Sequence, residues 1–194
     1  MASGAGAGIF KAAQKFFRFL RKEEGTAAHA RPRPPRFKMK EMEREYRGEH
    51  LPAPNKSWTH GSQVQYLDDA ARQRYRLTVG SDGRLYDSSG RLFDTRRGTS
   101  AWTPDRGRAI YVMDEHGNLY ASNTQVIGQF HHSSFLAGGP VAGAGELEVV
   151  NGNLMAISRQ SGHYKPTPQH LRQVTDHLRG QGLLFGPHHI EWGI

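Results

Sequence analysis

Three times between Arg74 and Ser158 a run of β-favouring residues stops at a tight-turn signal and then resumes, which commits this part of the chain to antiparallel hairpins. Arg74 to Val79 alternates, Ser81-Asp82-Gly83 supplies a turn, and Arg84 to Tyr86 returns. Ala109 to Met113, AIYVM, reads as a buried strand, with Glu115-His116-Gly117 as the turn and Asn118 to Ala121 as its partner. Glu146 to Val150 and Asn153 to Ser158 flank Asn151-Gly152, the strongest two-residue hairpin signal in the chain, because both turn positions need a positive φ that Asn and Gly tolerate. Helical spacing appears on either side of the hairpins. Residues 38–47, KMKEMEREYR, predict a short opening helix. From Thr167 onward Pro168 sits in a first turn, Leu171, Val174 and Leu178 form an apolar stripe, and Gly180 ends the helix. The hairpins are unlike in sequence, so no repeat architecture is implied. The expectation is an α+β domain built on a bent or split antiparallel sheet with flanking helices.

The net charge of +8 lies outside this body. Residues 1–40 hold ten Lys or Arg against Glu23 and Glu24, leaving 16 basic and 16 acidic residues in the other 154. A basic groove for nucleic acid on the folded part is therefore not supported. Residues 9–22, IFKAAQKFFRFLRK, place Ile9, Ala13, Phe16, Phe17 and Leu20 on one helical stripe with the basic residues mostly off it. That stripe fits a membrane-surface or targeting helix, a docking segment for a chaperone or secretion apparatus, or a helix packed on the body. Residues 23–39 carry Pro32, Pro34 and Pro35 among arginines, an extended linker. The expected division is a basic arm over residues 1–39 and a folded domain over 40–194. Cysteine is absent, which excludes disulfides, thiolate metal sites and a cysteine nucleophile. No apolar run approaches the roughly 18–20 residues of a membrane span, and no cleavage pattern follows an apolar segment, so a soluble body without an ordinary secretory leader is expected.

Three short motifs could carry chemistry. In AGELEV, Glu146 and Glu148 lie two apart on a strand and share a face, where they form either a solvated strand face or a pair dividing labour between a ligand hydroxyl and an attacking group. In FHHSSFLAGG, residues 130–139, His131, His132, Ser133 and Ser134 could hydrogen-bond a nucleotide, with small residues behind them; the alternative is a capped strand end with a glycine-rich loop. In SGHYKP, residues 161–166, His163 and Tyr164 serve structural closure or substrate contact. No G-x-S-x-G elbow is present, and adjacent histidines on a strand face opposite ways, which argues against a serine hydrolase and a zinc site.

Residues 130–166 resemble a block found in two settings. One is the plant IQ-motif-containing calmodulin-binding family, with a similar HSSFLAGG, A-A-G and SGHY-x-P-T series behind a strand like Arg74-Tyr75-Arg76-Leu77. The other is a group of bacterial toxin and effector domains in which Glu follows the small residues, as Glu146 follows Gly145 here. The chain contains no I-Q-x-x-x-R-G element, so calmodulin binding by that motif is not expected. The E-x-E strand also looks like the end of the arginine–serine–glutamate signature of ADP-ribosyltransferases, and the layout is similar to the CteC-like family that modifies ubiquitin on threonine.

That resemblance implies an ADP-ribosyltransferase-like fold and transfer of ADP-ribose from NAD⁺, without a metal, to a host protein, with ubiquitin as the implied acceptor. Glu146 or Glu148 would be the catalytic carboxylate. Arg47 or Arg74 would grip the NAD⁺ phosphates, Ser133 and Ser134 would form the serine strand of the cofactor site with His132 and Phe135 as further cofactor contacts, and His163 and Tyr164 would stand beside the substrate. The middle threonine of that signature is missing, and the serines stand close to the carboxylates. The implied setting is a monomeric factor secreted or delivered into a target cell, with membrane contact limited to residues 9–22. Three rivals remain open: a non-catalytic interaction module built on the same block, an NAD glycohydrolase, and a toxin acting on RNA.

Overall fold

The computed structural model describes residues 36–193 apart from Ala53, Thr59, His60 and Arg106. The amphipathic stripe over residues 9–22 and the prolines at 32–35 lie outside the described residues. The body is a curled seven-stranded sheet with few helices. Its strands are β1 (Arg76–Val79), β2 (Leu85–Tyr86), β3 (Ala109–Met113), β4 (Leu119–Ser122), β5 (Gly143–Val150), β6 (Asn153–Ser158) and β7 (Ile190–Glu191). They lie side by side in the order β2-β1-β4-β3-β5-β6-β7. Every neighbouring pair is antiparallel except β6 with β7, which run parallel. Among the described residues three α-helices accompany them: α1 (Asp69–Arg72), α2 (His132–Phe135) and α3 (Pro168–Gly180).

Strand β3 shows how the sheet is held. All five of its residues are buried, and successive side chains point to opposite faces. Ala109, Tyr111 and Met113 join Leu171, Val174 and Leu178 of α3 in one core, whereas Ile110 and Val112 join Phe135, Val141 and Tyr164 in a second core on the other face. The sheet is thus apolar on both sides, and the run AIYVM needs no polar alternation.

The Asn151-Gly152 turn takes the expected form, with φ of 48° and 79°. Helix α3 also runs as its stripe predicts, with Thr167 as N-cap. Two expectations fail. Residues 38–47 make only a single 3₁₀ turn, Arg44–Tyr46, because Lys40 instead pairs its backbone with Val141 in both directions (2.7 and 3.0 Å). The serine pair lies not on a strand but on α2. His131 is its N-cap, and the Ser134 hydroxyl accepts the His131 N–H at 3.0 Å. A residue that can close a capping box nucleates a helical turn more readily than it extends a strand.

Candidate functional site

In the sequence the carboxylate strand is the chemical centre. Glu146 and Glu148 lie on β5 two residues apart, but their surroundings differ completely. Glu146 is fully buried. One carboxylate oxygen accepts the Ser100 hydroxyl, and the other accepts the Thr103 hydroxyl at 3.0 Å. The Ser100 oxygen in turn accepts the backbone N–H groups of Thr103 (2.9 Å) and Trp102 (3.2 Å). Glu146 is therefore the clasp of a tight loop: it holds the Ser100–Thr103 turn against the sheet by charge-assisted hydrogen bonds. Glu148 is half-exposed and stands 3.8 Å from the Arg108 guanidinium. Arg108 is itself engaged at both ends of its fork by Glu191 of β7, at 2.6 and 2.5 Å. This hydrogen bonding holds the Glu191 carboxyl below its usual range.

The small residues leading into this strand also have structural uses. A side-chain carbon at Gly145 would collide with the Ser158 carbonyl of β6, and one at Gly143 would collide with Val174 of α3. Close approach at these glycines is between elements of the fold.

The remaining motifs meet around Glu49, a residue outside all three sequence motifs. Glu49, two positions beyond Arg47 in EYRGEH, is fully buried. One oxygen accepts the Ser133 hydroxyl at 2.5 Å and the Tyr66 hydroxyl at 3.4 Å; the other accepts N–H from His163 Nε2 at 2.9 Å. Burial pushes the Glu49 carboxyl up, but hydrogen bonding to His163, the charge of that ring and the Ser133 hydroxyl outweigh it, and the group ionises below its ordinary value. The phenol of Tyr66 is raised by burial and by the facing carboxylate.

A column of flat rings runs through the same place. The His163 ring stacks on Tyr46 (3.9 Å between centroids) and on His131 (4.5 Å), and His131 stacks on Trp58 (5.5 Å, 6° between planes). Gly128 N–H donates to His131 Nε2 at 2.8 Å, and the Gln125 side-chain amide stands 3.0 Å from His131 Nδ1. Burial pushes His131 down to about 4. His132 points the other way, bonded through Nε2 to the Gly145 carbonyl at 2.9 Å, and burial pushes it down to about 3.

The structure thus brings together His131, Ser133 and His163 from the residues named in the sequence, and adds Glu49, Tyr46 and Trp58. The carboxylate sits between serine and histidine: Ser133 donates to Glu49, not to an imidazole, and is wholly buried. This order joins three chain segments and sets the hydroxyl on a carboxylate held below its ordinary pKa, a weak base, in place of an imidazole. The other named residues lie elsewhere. Arg47 is exposed, with its guanidinium 4.0 Å from Glu41, and Arg74 is exposed at the foot of β1. Phe135 is buried against Tyr75 and Phe130, and the Tyr164 hydroxyl donates to the Gly139 carbonyl at 2.7 Å from within the second core. Glu49 could have been suspected from the sequence only as a carboxylate beside the Arg-Gly pair, because its partners lie 84 and 114 residues away.

A family model described as the IQ motif-containing protein middle domain matches residues 71–171. The IQ domain-containing proteins IQM3 and IQM2 of Arabidopsis thaliana are each 34% identical over 116 residues, which is 60% of this chain and 24% and 18% of those proteins. IQM1 of the same plant is 34% identical over 115 residues, 59% of this chain and 22% of that protein. The matching segment thus spans about a quarter or less of these relatives. No solved structure matches. These findings overturn the transferase reading: the block continues into plant IQ-type proteins, not into ADP-ribosylating toxins, and the picture of a secreted bacterial effector delivered to modify ubiquitin falls with it.

Proposed function

Because the chain belongs to the IQ motif-containing protein middle-domain family, we propose that it acts as a non-catalytic protein-interaction module whose contact surface is the loop end beside the Glu49 cluster. The relatives are named for an IQ element, and this sequence has no I-Q-x-x-x-R-G stretch, so the interaction is assigned to the folded block itself.

The observation that carries this reading is a set of large apolar side chains left in solvent on loops that the buried network holds still. Ile127 is 66% exposed and Trp102 55%, with Leu51 and Val126 also exposed. Their loops are tied to one another: Gln65 N–H donates to the Gln129 carbonyl at 2.8 Å, Ala101 N–H donates to the Gln125 side chain at 2.9 Å, and Trp58 stacks on His131. Exposed aromatic and aliphatic groups on pre-ordered loops bind with little further loss of chain entropy.

The test uses the full chain immobilised for capture from cell extract, as wild type, Trp102→Ala, Ile127→Asp and, on another face, Leu184→Asp. Partners retained by wild type and by Leu184→Asp but lost by both loop variants support the module. Equal capture by all four chains overturns it.

A further inference from the structure

The loops that carry Val126 and Ile127 also wall a groove of about 500 Å³, and we infer that this groove takes an uncharged, extended segment of a partner polypeptide. The inference rests on the interaction-module reading and specifies the chemistry of the partner.

The lining is chemically selective. Although 23% of the chain is Asp, Glu, Lys or Arg, none of the described lining residues is charged. A charged ligand group would lose hydration there and gain no counter-charge. In place of charge the groove presents carboxamides, those of Gln63, Gln65 and Gln129, together with an aromatic wall. Tyr75 and Phe130 form that wall, their rings 5.4 Å apart and tilted by 30°. Gln63 donates its amide to the His50 carbonyl at 2.7 Å. Among the described residues, Gln65 and Gln129 make no side-chain hydrogen bond. By contrast Gln125 and Gln173 commit their carboxamides to internal partners.

Two unengaged carboxamides are thus held at one place by the backbone bond between their own residues. Each offers one acceptor and a pair of donors, the complement of a peptide group, so they match a main chain lying along the groove irrespective of its side chains. The rim decides between a polypeptide and a neutral sugar. Val126 lines the groove and Ile127 stands next to it in solvent. A polypeptide can lay an aliphatic or aromatic side chain on them and remove apolar surface from water, whereas the hydroxyls of a sugar would be desolvated there without a partner.

The experiment selects a phage-displayed library of random dodecapeptides on the full chain, then titrates the enriched peptides into wild type, Gln65→Glu, Gln129→Glu and Trp102→Ala. Both glutamine substitutions are isosteric and exposed, so melting temperatures serve as the check that the fold is kept. The expected result is a peptide core without Asp, Glu, Lys or Arg whose affinity falls about tenfold or more in each Gln→Glu variant. A charged core, no enriched peptide, or equal binding to wild type and both variants overturns the groove assignment. Peptides indifferent to Gln65 and Gln129 but lost in Trp102→Ala would leave the interaction module standing without the groove. Binding of neutral oligosaccharides on an array, abolished by the same Gln→Glu changes, would overturn the polypeptide assignment in favour of a glycan.

Discussion

Glu49 and Ser133 stand 84 residues apart in sequence and share a 2.5 Å hydrogen bond inside the protein. With His163 on the other carboxylate oxygen, the bond ties the N-terminal loop, helix α2 and the turn before α3 into one unit. Removing Glu49 leaves His163 and Ser133 buried with no acceptor. Glu49→Ala is expected to cost about 3–5 kcal/mol, the range for breaking a buried pair from one side, and Ser133→Ala about 1–3 kcal/mol. Urea unfolding of the two variants checks both the size and the order. Equal, small losses would show that the carboxylate does not anchor the cluster.

Two buried histidines, one in this cluster and one behind it, make the fold acid-sensitive. His131 and His132 are buried neutral, with values near 4 and 3 against 6.5 for a free imidazole. The unfolded chain therefore takes up their protons first as pH falls. Stability from this source is complete above about pH 6.5, declines as pH drops, and levels out near pH 4 for His131 and pH 3 for His132. Each ring contributes a slope of up to about 1.4 kcal/mol per pH unit in that window. Glu49 acts in the same direction at lower pH: its carboxyl is depressed, so its contribution is present above its unfolded value of 4.5 and is lost as pH falls through the folded one. Urea midpoints measured from pH 7 to pH 4 should fall steadily, and His131→Gln should flatten the upper part of the curve. A wild-type midpoint that stays level down to pH 5 would contradict the buried neutral state.

Glu146 and Glu148 look alike in the sequence and should behave differently on substitution. Glu146→Gln weakens two hydroxyl bonds to a buried carboxylate and is expected to cost about 1.5–3 kcal/mol, with the Ser100–Thr103 loop loosened. Glu148→Gln removes a half-exposed partner of Arg108 that is already paired with Glu191, and its effect should stay below about 1 kcal/mol. Thermal unfolding of the two single variants distinguishes them. Equal shifts would mean that burial of Glu146 does not translate into a structural role.

The contrast shows what the sequence could disclose. Local rules sufficed for the hairpin at Asn151-Gly152, for the buried strand β3 and for helix α3, because turn chemistry and periodicity act over a few residues. They failed at HHSS, expected on a strand, where the capping bonds of His131 and Ser134 make a helix. The site was harder still. Ser133 and His163 could be singled out by their motifs, but Glu49, Tyr46 and Trp58 meet them only through the folded topology. The E-x-E pair pointed to catalysis since nothing in the sequence shows that Ser100, Thr103 and Arg108 will fold onto it.

Gly145 tests the origin of the small-residue run before that pair. Its missing side chain lets the Ser158 carbonyl of β6 pass directly over the strand. Gly145→Ala meets backbone that cannot rotate away and is expected to destabilise by at least about 1–3 kcal/mol, the usual range for overpacking. Gly143→Ala meets the side chain of Val174, which can shift, so its cost should be smaller. The comparison is made by chemical unfolding of the two soluble variants. A harmless Gly145→Ala would mean that β5 and β6 separate easily at this point.

The parallel edge strand β7 is only two residues long, and a strand that short has little pairing of its own to hold it. Arg108, which precedes β3, reaches across to Glu191 with both arms of its guanidinium, a bidentate geometry that lysine cannot reproduce. The pair is partly exposed, so its worth to global stability should be about 1 kcal/mol or less, and Arg108→Lys should hardly change the melting temperature. Its local effect should be easier to see. Release of Glu191 frees Ile190 from its register with Ile157, so amide exchange at the C-terminal end of β6 and in β7 is expected to rise by up to about fivefold in Arg108→Lys, as for a local opening made up to about 1 kcal/mol easier, while β3 and β5 keep their protection. Unchanged exchange at Ile190 and Glu191 would show that β7 is held by the apolar contact of Ile190 alone.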